Sequence, residues 1–192
     1  MGSVQQSSVK AEKQMIEKIN NESEQEFGNV GNVRIRDITT SYILNQSLGL
    51  NLQLLKHHVW FGSVVGSYPP TIKRGATNGI TSRSDPPGDA TGSKIAVVYA
   101  GSNEDDGPNN CAWLLAWYAP ADGITTKKVY VEAGDISKYA DEIEWDEIES
   151  KLDASSNQSY YMDDDTGSEA SAGIEEGYKT KISAVFDVAN KK

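Results

Sequence analysis

Cysteine is nearly missing from this chain: Cys111 stands alone among 192 residues. No intramolecular disulfide can form, and a reducing, cytoplasmic location is the expectation. Long apolar runs are missing too. None approaches the roughly 18 residues that a membrane-spanning helix needs, and the opening MGSVQQSSVKAEKQ lacks the apolar stretch of a secretory signal. Cations are scarce, with 18 Lys plus Arg against 28 Asp plus Glu and a formal charge of −10. That balance opposes nucleic acid and anionic membranes as partners, because both are bound by neutralising phosphate with Lys and Arg. The two histidines, His57 and His58, are adjacent in a stretch that alternates like a strand. They would point to opposite faces and could not share a metal, so no metal or cofactor is expected. No nucleophile elbow, phosphate loop or dinucleotide fingerprint is present, and an enzyme is the weaker reading.

What the chain does have is a dense apolar block from Gly92 to Pro120. GSKIAVVYAG and CAWLLAWYAP flank the polar loop SNEDDGPNN, the pattern of two paired antiparallel strands. In the second run Cys111, Trp113, Leu115 and Trp117 share one face, and Ala112, Leu114, Ala116 and Tyr118 share the other. Both faces are apolar, so this should be a central strand covered on both sides, with Cys111 a buried hydrophobe.

Around that block lie shorter alternating stretches: Val33–Ile43, Leu50–Leu54 running on into KHHVWFGSVV, Ile80–Ser82, Lys127–Ala133 and Lys179–Ala189. Two helices are expected, one over Val9–Phe27 with a narrow Met15, Ile16, Ile19 stripe, and one over Asp141–Leu152 with Asp141 as N-cap. Residues 1–29 form a polar N-terminal helix and tail, and 30–192 form one domain. Between Asp141 and Glu176 thirteen carboxylates face one cation, Lys151, and 153–177 is expected to be a flexible acidic loop. Many short strands with few helices make the fold class all-β: an antiparallel β-sandwich with the two helices peripheral.

The segments KHHVWFGSVVGSYPPTIKRG, ATGSKIAVVYAG, CAWLLAWYAP, KKVYVEAG and EWDEIESKL resemble the small jasmonate-induced stress proteins of plants, over about residues 50–152. More distantly, the turn Ile72–Gly75, the loop Ala90-Thr91-Gly92 and the strand end Tyr118-Ala119-Pro120 resemble aegerolysins and actinoporins, β-sandwich proteins that bind lipid. This second resemblance implies an aegerolysin/actinoporin-like sandwich. It does not extend to pore formation, since Pro120 is followed by ADGITTKK without an aromatic and the N-terminal stretch is charged.

Together these readings imply a non-catalytic, stress-responsive binding protein. Its expected ligand is a lipid headgroup or carbohydrate, held in a groove at one end of the sandwich by Trp60, Tyr68, Arg83 and Tyr118. The alternative is a protein-interaction module whose acidic 141–176 segment engages a basic protein partner.

Overall fold

The computed structural model describes residues 37–105, 107–175 and 179–189. The expected N-terminal helix and the 1–29 tail lie outside the described residues. Among the described residues eleven strands form two stacked sheets. They are β1 Ile38–Asn45, β2 Asn51–Phe61, β3 Ser63–Val65, β4 Thr71–Lys73, β5 Thr77–Arg83, β6 Ser93–Gly101, β7 Cys111–Ala119, β8 Lys128–Asp135, β9 Gln158–Met162, β10 Ser168–Ile174 and β11 Thr180–Val188. One sheet runs β3-β5-β1-β11-β10-β9 and the other β4-β2-β6-β7-β8. The sandwich is as expected and antiparallel throughout, save that β1 and β11 pair in parallel.

The central position of β6 and β7 follows from their two apolar faces. Cys111, Trp113, Leu115 and Trp117 enter the core between the sheets, together with Ile95, Val97, Tyr99 and Phe186. Ala112, Leu114 and Ala116 join Ala96 and Val98 in a second apolar layer on the outer face of the five-stranded sheet. Helices α1, Ser137–Ala140, and α2, Trp145–Ala154, supply Tyr139, Ile148 and Leu152 to that layer. The helix starts at Trp145 and not Asp141, because Ile143 is itself pulled into the apolar layer and Asp141 lies outside it.

Of the stretch 153–177, expected as a flexible acidic loop, residues 153–175 are described. They carry the end of α2 and the strands β9 and β10. Ala170, Ala172 and Ile174 are buried between the sheets, and the Trp113 indole N–H reaches across to the carbonyls of Glu169 at 3.0 Å and Asp187 at 3.1 Å. Small residues are what so large a ring allows opposite it, and small residues carry little hydrophobic signal.

The two long seams of the sandwich differ. Along β8 the Val129 N–H donates to the Ser156 carbonyl and the Val131 N–H to Ser159 Oγ, which ties β8 to the start of β9. Along β2 only Asn51–Gln53 pair with β4. At its other end β2 gives way to β3 in the other sheet, and Gly62, with φ of +82°, makes the corner.

Candidate functional site

Two β-bulges interrupt the pairing of β2 with β6, between Leu54 and Lys56 and between Val59 and Phe61. A bulge sets two residues against one on the partner strand and so re-aims side chains. After the second bulge Trp60 and Phe61 both serve the helix-covered face: Trp60 packs on the outer apolar layer, and Phe61 meets Tyr118 edge-on at 5.7 Å. His58, on the same face, stacks on Trp145 at 4.9 Å and 14° and meets Trp60 edge-on at 4.8 Å. Trp60 and Trp145 are perpendicular at 6.3 Å. Five half-buried rings therefore converge where β2, β6, β7 and α2 meet.

At their centre is a cation. Lys94 Nζ lies 5.6 Å from the Tyr118 ring centre and 6.0 Å from that of Trp60, within the range of cation–π attraction. It also contacts Glu149 Oε1 and Asp153 Oδ1, each at 2.7 Å. The lysine side chain is only 7% exposed, against 33% and 53% for its two partners. Burial pulls its pKa down, but the bonds to Asp153 and Glu149 outweigh that and leave it above the ordinary lysine value. Burial raises the Tyr118 phenol. At His58 burial lowers the pKa against the opposing pull of Glu149 and Asp146. The Trp60 Nε1 donor is buried and has no hydrogen-bond partner among the described residues. The arrangement is an aromatic surface already organised around an ammonium, with its charge balanced by carboxylates.

Beside it, the loop between β7 and β8 projects Ile124, 90% exposed. The loop is stiff at this point. Asp122 Oδ1 accepts the backbone N–H groups of Ile124 and Thr125, its Oδ2 accepts the Thr125 hydroxyl, and Gly123 takes φ +77°.

The four residues expected to share a groove divide between different surfaces. Trp60 and Tyr118 meet across Lys94. Tyr68 lies with the inter-sheet core, stacked on His57 at 4.3 Å and 14°, where burial raises its phenol to about 12. Arg83 belongs to the six-stranded sheet, paired with Ile38 on one side and Ser63 on the other. His57 and His58 do turn to opposite faces, one to Tyr68 and the other to Trp145. Among the described residues no three His, Cys, Asp or Glu side chains gather at metal-binding range. Cys111 is buried, and burial raises its thiol. The sequence reading weighed His58 only as a metal ligand and did not place Phe61, Lys94, Trp145 or Ile124 at a site. One signal was there: Lys94 is the single charged residue in the strand SKIAVVYAG, and Glu149 and Asp153 are spaced i, i+4 on one helical face.

Comparison with known proteins adds the lineage. A relative from Atriplex canescens, "Jasmonate-induced protein homolog", is 35% identical over 162 residues, 82% of this chain and 84% of that protein. The "23 kDa jasmonate-induced protein" of Hordeum vulgare is 32% identical over 152 residues, 78% of this chain and 70% of its own length. Among solved structures, the lipid binding protein Nakanori superposes with a TM-score of 0.70 at 18% identity, over 91% of this chain and 79% of that one. The two share the β-sandwich fold. The family model described as Nakanori-like protein matches residues 3–189, and on that match over almost its whole length this chain belongs to the Nakanori-like family.

Proposed function

We propose that this chain is a non-catalytic, stress-responsive cytoplasmic protein that binds a lipid headgroup at the aromatic end formed by Trp60, Phe61, Tyr118 and the Ile124 loop. The observation that carries the reading is the ring cluster around Lys94. Flat rings beside a buried ammonium and two carboxylates match a headgroup that bears both signs of charge. The net charge of −10 turns the choice away from anionic lipids. The lipid-binding description of Nakanori, whose fold this chain shares, supports the same direction. The rings would also stack on a sugar, which makes a glycan the competing ligand at this end.

The test is co-sedimentation with vesicles of phosphatidylcholine alone, alongside a glycan array. Wild-type protein is expected to sediment with the vesicles. Ile124→Asp, a change at a 90% exposed side chain, should weaken binding about tenfold or more while leaving the melting curve in place. Binding to glycans alone, with Ile124→Asp silent, would replace the headgroup by a sugar.

A second reading is favoured by the exposure of Asp141, Glu142, Glu144, Asp146 and Glu147 along one stretch leading into α2. These would meet a basic protein partner. Neutralising Asp141, Glu142 and Glu144 to amides should then abolish a salt-sensitive complex without altering vesicle binding.

A further inference from the structure

The two sheets present unlike outer faces. Both described helices bury their apolar residues on the five-stranded sheet; the outer face of the six-stranded sheet is left without them. Its strands send Ile43, Ile80, Ala172, Ala184 and Phe186 inward, so the residues between them turn outward. Two rows of register partners cross the middle of that outer face, from β5 to β9. One has Tyr42 between Gly79 and Ser183, and the other sets Leu44 beside Val185 and ends on Tyr160. Neither row holds a charge, in a chain whose residues are 24% charged. Tyr160 is 61% exposed, and Met162, one row further, 44%. The charges that these strands turn outward stand beyond the two rows. Arg83 and Lys181 lie toward one end, and Glu169 and Asp187 face each other as register partners at the other. Like charges set opposite one another destabilise a sheet. Burial, with Glu169 adding to it, holds the Asp187 carboxyl above its ordinary pKa.

We infer that this face is where two copies of the chain pair, sheet on sheet, about a two-fold axis crossing the strands between Ser183 and Val185. The order of charges decides the partner. Such an axis lays each strand on its own copy with the direction reversed. Ser183 then meets Val185 of the second copy, Tyr42 meets Leu44, and Lys181 stands over Asp187 beside Glu169. Lys181 and Asp187 lie equally far from the axis along β11. Cations at one end, carboxylates at the other and an uncharged middle make the face complementary to itself, and a partner of a single sign would not fit it. Stacked sheets lie about 10 Å apart, a gap that a lysine and an aspartate side chain span together. The face measures about 20 Å along the strands and as much across them. That is about 400 Å², half of what a standard interface buries on each partner, so the pairing is weak. The aromatic end lies on the other sheet, and the two readings stand or fall separately.

The test is sedimentation equilibrium of the full-length protein over a concentration series reaching about 1 mM. Wild-type protein should pass from monomer to dimer, half-complete at about 100 µM. Lys181→Glu and Asp187→Lys, each alone, set like charges across the pair and should weaken it about tenfold or more. Their equimolar mixture should recover wild-type association, because a mixed pair carries opposite charges at both ends. Val185→Glu, next to the axis, should weaken the pairing as well. Should a charge variant fail to fold, the wild-type series and Val185→Glu still decide. A monomer at every concentration, which would leave the face to some other occupant, would overturn the assignment. So would a dimer indifferent to all three changes, or a mixture that associates no better than its two components.

Discussion

At Gly92 the backbone takes φ +73°, and a Cβ built there would lie 1.9 Å from the Ala119 carbonyl oxygen. Any side chain would push β6 away from the end of β7, so Gly92→Ala should cost about 3 kcal/mol or more in chemical denaturation, or prevent folding. The glycine was visible in the sequence; its neighbour was not, because the contact is made across the sheet. His58 makes a second prediction. Its pKa is lowered by burial, against the pull of Glu149 and Asp146 and with a smaller lowering from His57. As pH falls from its ordinary value of 6.5 to the lower folded value, the unfolded chain takes up the proton first. Stability should therefore decline through that window and level off below it. His58→Gln should flatten this part of the stability–pH curve; an unchanged curve would show that His58 is not the group responsible.

At the scale of elements, α2 is fastened by charges of opposite sense. Lys94 reaches up from β6 to Glu149 and Asp153, and Lys151 reaches down from α2 to Glu132 of β8 at 2.6 Å. Lys94 is far more buried than its partners, so the two sides of the trio should not respond alike. Lys94→Met frees carboxylates that are already wetted and should change stability by about 1 kcal/mol at most, whereas Glu149→Gln with Asp153→Asn strands a buried ammonium and should cost about 3 kcal/mol. Equal losses in thermal or urea unfolding would contradict that asymmetry. The strands differed sharply in how legible they were. CAWLLAWYA declared both of its faces, and the structure places each residue as the alternation required. SEASAGI alternates as strictly, Ala170, Ala172 and Ile174 inward, but with methyl-sized groups amid carboxylates its composition hid its periodicity. The bulges in β2 left no mark in sequence, and without them Trp60 and Phe61 could not serve one face.

At the largest scale the described residues form a sandwich tied along β8 and β9, with an aromatic surface where β2 turns into the second sheet. The four residues expected in one groove are divided because Tyr68 and Trp60, close in sequence, pack on opposite sides of one sheet. Between them the chain leaves β2 at Gly62 and runs through the other sheet as β3, so alternation along one strand cannot relate the two rings. Net charge acts at this scale: replacing part of the phosphatidylcholine in vesicles by phosphatidylserine should weaken binding, and added salt should restore some of it.

The most direct measurement of the central claim is tryptophan quenching by phosphatidylcholine vesicles with brominated acyl chains. Trp113 and Trp117 are fully buried between the sheets and serve as internal silent rings. Trp60 and Trp145 both belong to the aromatic end, so headgroup docking there predicts quenching of wild-type emission that is largely lost when both are replaced, Trp60→Phe with Trp145→Phe. Quenching that persists unchanged in that double variant, or no quenching at any lipid concentration, would contradict it.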